Sequence, residues 1–184
     1  MKRREILVLA IAQFFVALST GLIGPVYAIY FEKIVKETSL VALVIGIYWI
    51  TVGILEVPSG YLSDRIGKGK TFLIGGIISS IAIFLYLFIS DLNSLIIVEI
   101  LNAIGHSLQM PSFISLLSEV TSSKNRGKEI GFVDSFWSIT YGISAIISGA
   151  VISLFGIFSI FIISSLFNVL SSVIVGRKFS SFKF

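Results

Sequence analysis

The sequence predicts an all-α integral membrane protein of six transmembrane helices, arranged as two groups of three, with both termini cytoplasmic. Three observations carry that expectation. Long uncharged apolar runs recur along the chain. Charged residues make up only 13% of it, where an average soluble domain carries about 25%. The basic residues are gathered into alternate loops.

The first run, 6–31, is uncharged for 26 residues. At about 1.5 Å per helical residue it exceeds the roughly 30 Å thickness of a bilayer's hydrocarbon core. The basic Lys2-Arg3-Arg4 ahead of it is similar to the start of a signal peptide. A signal peptide's apolar stretch is only about 7–15 residues, however, and five further spans follow. The second span, 39–62, is apolar apart from Glu56, and the third, 71–90, is uncharged throughout. The fourth, 92–118, is interrupted only by Glu99 and His106. The stretch 130–176 contains one charge, Asp134, and is long enough for two spans. It is expected to break near Leu154-Phe155-Gly156, giving spans of 130–153 and 156–176. In lipid every backbone polar group must be satisfied internally, so each run is expected to be a helix. A membrane β-barrel would show alternating segments of about ten residues, which these are not.

Orientation follows from the loops. Lys2, Arg3, Arg4, Arg65, Lys68, Lys70, Lys124, Arg126, Lys128, Arg177, Lys178 and Lys183 account for twelve of the fourteen basic residues. Lys33 and Lys36 occupy the other set of loops, offset there by Glu32 and Glu37. The bias toward positive charge on the cytoplasmic side then places both termini and the second and fourth loops on the cytoplasmic face of the cell membrane. The net charge of +4 reflects this distribution and points to the bilayer, not to nucleic acid. The two triplets, helices 1–3 and 4–6, meet at the short turn Ser90-Asp91-Leu92. Their symmetry is read from hydropathy alone, because no residue-level repeat is evident. The tail 177–184 is too short to fold by itself and is expected at the cytoplasmic interface.

The second loop is the most informative stretch: Gly60-Tyr61-Leu62-Ser63-Asp64-Arg65-Ile66-Gly67-Lys68-Gly69-Lys70. Gly60 is expected to permit a close helix approach, and Gly67 and Gly69 a tight reversal into helix 3. Asp64 sits near a helix C-terminus, where the dipole disfavours a carboxylate, so it is expected to face cations or another helix's N-terminus. An ordinary cytoplasmic loop would explain the cations but neither Asp64 nor the glycines.

This segment resembles the G-x-L-x-D-R-x-G-R/K-x-R/K loop between helices 2 and 3 of the major facilitator superfamily. Glu56-Val57-Pro58-Ser59-Gly60 resembles a lead-in found in some exporter branches. Glu119 through Gly127, with Arg126, is similar to that family's loop after helix 4. The resemblance implies one six-helix half (3+3) of a fold that normally has twelve helices. It also implies a cytoplasmic gate involving Asp64, Arg65, Glu119 and Arg126. Two features depart from the family pattern. Glu99 stands where helix 4 often carries a buried arginine. Helix 5 keeps only Gly142, Ala145 and Gly149 of the antiporters' glycine pattern, with no proline.

Helix 4 carries Glu99, Asn102, His106 and Gln109, which at about 100° per residue share one stripe about 80° wide. Ionisable groups facing lipid cost about 2.5–3.5 kcal/mol or more, so the stripe should face a bundle interior or a wet cavity. Two readings stay open for it: a substrate or proton pathway, with Glu99 and His106 titrating together, or interhelical hydrogen bonds that only hold the bundle together. Pro111 is placed to kink the helix below the stripe. Glu56 and Asp134 are expected to pair with inner-loop cations. Gln13, Ser19 and Thr20 are cavity-lining candidates on helix 1, whose outer half Gly21, Gly24 and Pro25 should loosen. Trp49 and Trp137 are expected to be packing or interface anchors.

The chain has one histidine and no cysteine, so no metal site or cofactor is expected. Enzyme motifs such as G-x-S-x-G, H-E-x-x-H and a phosphate loop are missing, so no catalytic residue is assigned. The function expected from the resemblance is transport of a small solute of unknown identity by alternating access. One half lacks an opposing wall, so the expected partner is a second copy or another six-helix half. In that arrangement Asp64 would lie near the start of helix 5, beside Lys128, of the other half. The alternatives are a truncated, inactive fragment and a non-transporting membrane subunit that binds another protein through Gly142, Ala145 and Gly149.

Overall fold

A computed structural model describes residues 2–180, and the side chain of Lys2 is not among the described groups. Lys183 and the end of the predicted tail lie outside the described residues. Six long helices follow one another: α1 Lys2–Val35, α2 Thr38–Ile66, α3 Lys68–Leu85, α4 Leu92–Val120, α5 Arg126–Phe155 and α6 Ile157–Phe179. Among the described residues there is no strand. Arg177 and Lys178 belong to the last turn of α6, not to a separate tail. The third predicted span also differs. Its helix stops at Leu85, and a 3-10 turn, Tyr86–Phe88, tightens the chain before the outer loop, as often happens at helix C-termini.

Short turns reverse the chain between the helices, and two of them are single glycines. Gly67 (φ 99°) ends α2 and starts α3, and Gly156 (φ 79°) does the same between α5 and α6. A side chain at either φ would be strained, which is why glycine occupies both. Lys36 takes a positive φ of 57° at the end of α1 without being glycine. Before α4, Asp91 forms a capping box. Its carboxylate accepts from Ser94 N–H at 2.9 Å, while the Ser94 hydroxyl oxygen accepts from Asp91 N–H at 3.2 Å. This satisfies donors that the first helical turn leaves orphaned.

Five helices are long and apolar enough to cross a membrane by composition alone: α1, α2, α3, α5 and α6. The fourth predicted span, α4, is long enough but does not reach that apolarity. Its middle carries Glu99, Asn102, His106 and Gln109. All three prolines lie inside helices, at Pro25, Pro58 and Pro111.

The helices pack in the order α2, α4, α3, α6, α1, α5, each mainly against its neighbours in that row. Exchanging α1 with α4, α2 with α5 and α3 with α6 reverses this row and keeps every neighbour pair, so the two triplets occupy equivalent places in the packing. Apolar lipid offers little hydrophobic drive for this association, so close van der Waals packing and interhelical hydrogen bonds must supply it. Gly75 and Gly105 let α3 meet α4 backbone to backbone; a Cβ on Gly75 would stand 2.6 Å from the Gly105 carbonyl. Serines then stitch α1 to its neighbours. Ser171 and Ser164 of α6 donate to the carbonyls of Ala12 (2.9 Å) and Ser19 (3.0 Å), and Ser144 of α5 donates to that of Ala17 (3.2 Å).

Two apolar cores close the ends of the bundle. One, with Leu22, Phe31, Tyr86, Leu95 and Phe161, lies at the end bearing the 36–37, 89–91 and 156 turns. The other, with Leu9, Phe72, Leu116, Val133 and Phe179, brings the start of α1 and the end of α6 together. Between them polar side chains of α1 and α4 are set among apolar and aromatic ones. The flanking helices α2 and α5 are covered least: 17% of their most apolar stretches is buried, against 50% for α1 and α3.

Candidate functional site

A cavity of about 580 Å³ occupies the space between the two cores and takes residues from all six helices. Its size is within the range of about 300–1,000 Å³ usual for small-molecule sites. From α1 come Gln13, Ser19, Thr20 and Tyr27, and from α4 come Asn102, His106 and Gln109. The structure therefore gathers most of the polar residues singled out in the sequence onto one cavity. Trp49 and Trp137, expected as packing or interface anchors, line this cavity as well.

Glu99 is set apart from its stripe. It is fully buried and is absent from the cavity lining. Tyr86 donates to Glu99 Oε1 at 2.5 Å, and Tyr27 donates to the same oxygen. The two phenol oxygens lie 3.1 Å apart, and Asn102 Nδ2 donates to Tyr86 Oη at 3.3 Å. Tyr27 and Tyr86 line the cavity themselves, so the carboxyl sits behind a two-tyrosine screen. Its second oxygen is buried without a hydrogen-bond partner. Neither tyrosine was found from sequence. The only available signal was that a Tyr inside an apolar run must satisfy its hydroxyl.

His106 lies seven residues beyond Glu99, about 10.5 Å along the helix. It stacks on Tyr48 of α2 (ring centroids 6.0 Å apart, 25°) and meets Trp49 edge-on at 5.9 Å. Its buried Nδ1 has no hydrogen-bond partner. Gln109 instead reaches α6, where Nε2 donates at 3.4 Å to Asn168 Oδ1 and to Ser172 Oγ. The stripe thus divides by role: Gln109 ties helices together, Asn102 supports Tyr86, and His106 stands within an aromatic cluster. Asp134, expected to pair with inner-loop cations, is exposed and lines the cavity on α5.

Within this chain the loop motif makes few contacts of its own. At the start of α3, Lys68 forms an ion pair with Glu119 at the end of α4. The two side chains are 21% and 25% exposed, so solvent screening keeps the pair to about 1 kcal/mol or less. Asp64, Arg65 and Lys70 are exposed. Arg126 Nη2 donates to the Ser118 carbonyl at 3.5 Å. Glu129, which the sequence reading passed over, accepts from Ser122 N–H at 2.7 Å and from its hydroxyl at 3.2 Å, fixing the turn into α5.

Gly60 has no close neighbour within this chain, since a Cβ there would meet nothing within 4 Å. One glycine expectation is corrected. Gly69 is not a turn residue: it lies in the first turn of α3, and its missing side chain makes room for the backbone of Phe179 and Ser180. Gly67 alone makes the reversal.

The sequence profile described as Major Facilitator Superfamily matches residues 9–180. An uncharacterized MFS-type transporter of Methanocaldococcus jannaschii is 24% identical over 181 residues, which is 98% of this chain and 47% of that protein. An uncharacterized transporter of Buchnera aphidicola is 32% identical over 145 residues, 74% of this chain and 34% of that protein. The niacin transporter NiaP of Acinetobacter baylyi is 29% identical over 174 residues, 92% of this chain and 39% of that protein. The chain spans less than half the length of these relatives.

Proposed function

The chain belongs to the major facilitator superfamily, and on that premise we propose that it forms one six-helix wall of a solute transporter in the plasma membrane. A second copy, or another six-helix half, supplies the opposing wall. The two walls rock about a solute held between them and expose it to each side in turn. Both chain ends face the cytoplasm, consistent with the basic loops at their end of the bundle. All six helices cross the bilayer; α4 is covered by its neighbours and turns its polar groups inward.

The cavity is the observation that carries this reading. Polar groups of α1 and α4 are gathered there although every one of them is costly at membrane depth. Its flanks point the same way. On α2, Ile50, Ile54, Val57 and Tyr61 form an exposed apolar stripe, and on α5 Ile139, Ile143, Ile146 and Leu154 form another. Exposed stripes on the two end helices are where an opposing half would close the cavity. Asp64, exposed near the end of α2, then comes to the start of α5 of the other half, beside Lys128.

The test is the mass of the complex extracted from its native membrane, measured by native mass spectrometry. A dimer, or a one-to-one complex with a second six-helix chain, is expected. A monomer that is stable and saturates with no partner would sink the two-walled transporter.

A further inference from the structure

We infer that the cavity is built for a planar aromatic cation, an inference that rests on the transport reading and names its solute class. The charge of the lining is the first ground. No lysine or arginine contributes to it among the described residues, and with Glu99 withheld behind Tyr27 and Tyr86 the acidic side chain that remains is Asp134. An anion would find no countercharge on this wall, whereas a cation would find one.

The second ground is where that carboxylate stands. Asp134, Trp137 and Tyr141 are spaced i, i+3, i+7 on α5 and so share a face. The rings of Trp137 and Tyr141 are stacked, with centroids 5.1 Å apart at 25°. On α2, Tyr48 and Trp49 enclose His106 in a second aromatic cluster. Two aromatic surfaces with a carboxylate at one edge suit a flat ring system carrying positive charge, which both the π-faces and Asp134 attract. A compact ammonium ion would use the carboxylate but leave most of the aromatic area empty.

Three bicyclic probes of nearly equal shape separate the possibilities: N-methylquinolinium, quinoline and quinoline-2-carboxylate. Each is titrated at about pH 8 into the membrane-extracted complex, reconstituted in phosphatidylcholine nanodiscs, with empty nanodiscs subtracted. Both tryptophans of the chain line the cavity, so saturable quenching of their emission reports binding there, and equilibrium dialysis gives the affinities. The cation should bind at least about tenfold tighter than the other two. Asp134→Asn should remove that preference and leave quinoline affinity within about twofold, while Asp134→Glu should retain it. Trp137→Leu should weaken both the cation and quinoline. Equal or tighter binding of the carboxylate, or a cation affinity indifferent to Asp134→Asn, would overturn the cationic class while saturable quenching still supported a solute cavity. Absence of saturable quenching by all three probes would overturn the inference and the cavity reading together.

Discussion

Replacing Gly105 by alanine tests whether the bundle depends on backbone contact between α3 and α4. The new Cβ would meet Ser79 Oγ first, and would stand 2.5 Å from Ser79 N and 2.6 Å from the Gly75 carbonyl oxygen, where ordinary contacts begin at 3.4 Å. The hydroxyl can rotate, but the last two atoms are backbone, so no rotamer change relieves them. The helices must part by the better part of an ångström, and the surrounding van der Waals contacts weaken with them. Overpacking of this kind costs about 1–3 kcal/mol. The upper half of that range is expected, because neither backbone obstacle can rotate away. Gly142→Ala is the reference, since a Cβ there meets nothing within 4 Å. Both variants gain the same helix propensity, about 1 kcal/mol, so it cancels in their difference. Unfolding in mixed micelles with increasing dodecyl sulfate, followed by circular dichroism, should place Gly105→Ala about 1–3 kcal/mol below Gly142→Ala. Adding Ser79→Ala removes the hydroxyl but should not restore full stability, because the two main-chain obstacles remain. Two variants of equal stability would refute the account of the α3–α4 contact.

Three further outcomes follow from the same contacts. Tyr86→Phe removes the 2.5 Å bond to Glu99 and the Asn102 contact; since Glu99 is fully buried, the loss should be about 1.5–3 kcal/mol in the same unfolding assay, and an unchanged midpoint would mean that the phenol does not support the carboxyl. Because the chain has no cysteine, single cysteines at Ser90 and Asn125 can be labelled without background. A membrane-impermeant maleimide applied to intact cells should modify Ser90→Cys and spare Asn125→Cys, and the reverse pattern would invert the proposed orientation. The Ser94 N–H bond holds the Asp91 carboxyl below the usual carboxylate range. A group lowered in the folded state stabilises it above the unfolded pKa of about 3.9 and ceases to do so as pH falls through the folded value. The gap in melting temperature between the protein and Asp91→Asn should therefore be level from about pH 7 to pH 5 and change only below about pH 4. A gap that shifts near neutral pH would contradict it.

Much of the helical layout is legible along the chain because helix formation in lipid is a local matter. Each apolar run must satisfy its own backbone, and it ends where charge or a glycine turn interrupts it. The break at Gly156 and the reversal at Gly67 are visible in this way. The common face of Asn102, His106 and Gln109 is visible too, because helical periodicity relates residues of one segment. What periodicity does not state is which segment lies opposite. Glu99 shares its stripe with three cavity residues, yet Tyr27 and Tyr86, 72 and 13 positions away, decide that it is screened. The glycines divide in the same manner. Gly75 and Gly105 sit at a contact between α3 and α4, while Gly60 and Gly142 face open space, and nothing in the residues beside them distinguishes the two kinds. Spacing along a helix sets direction, whereas burial and partnership depend on contacts between distant parts of the chain, which only the packed bundle specifies.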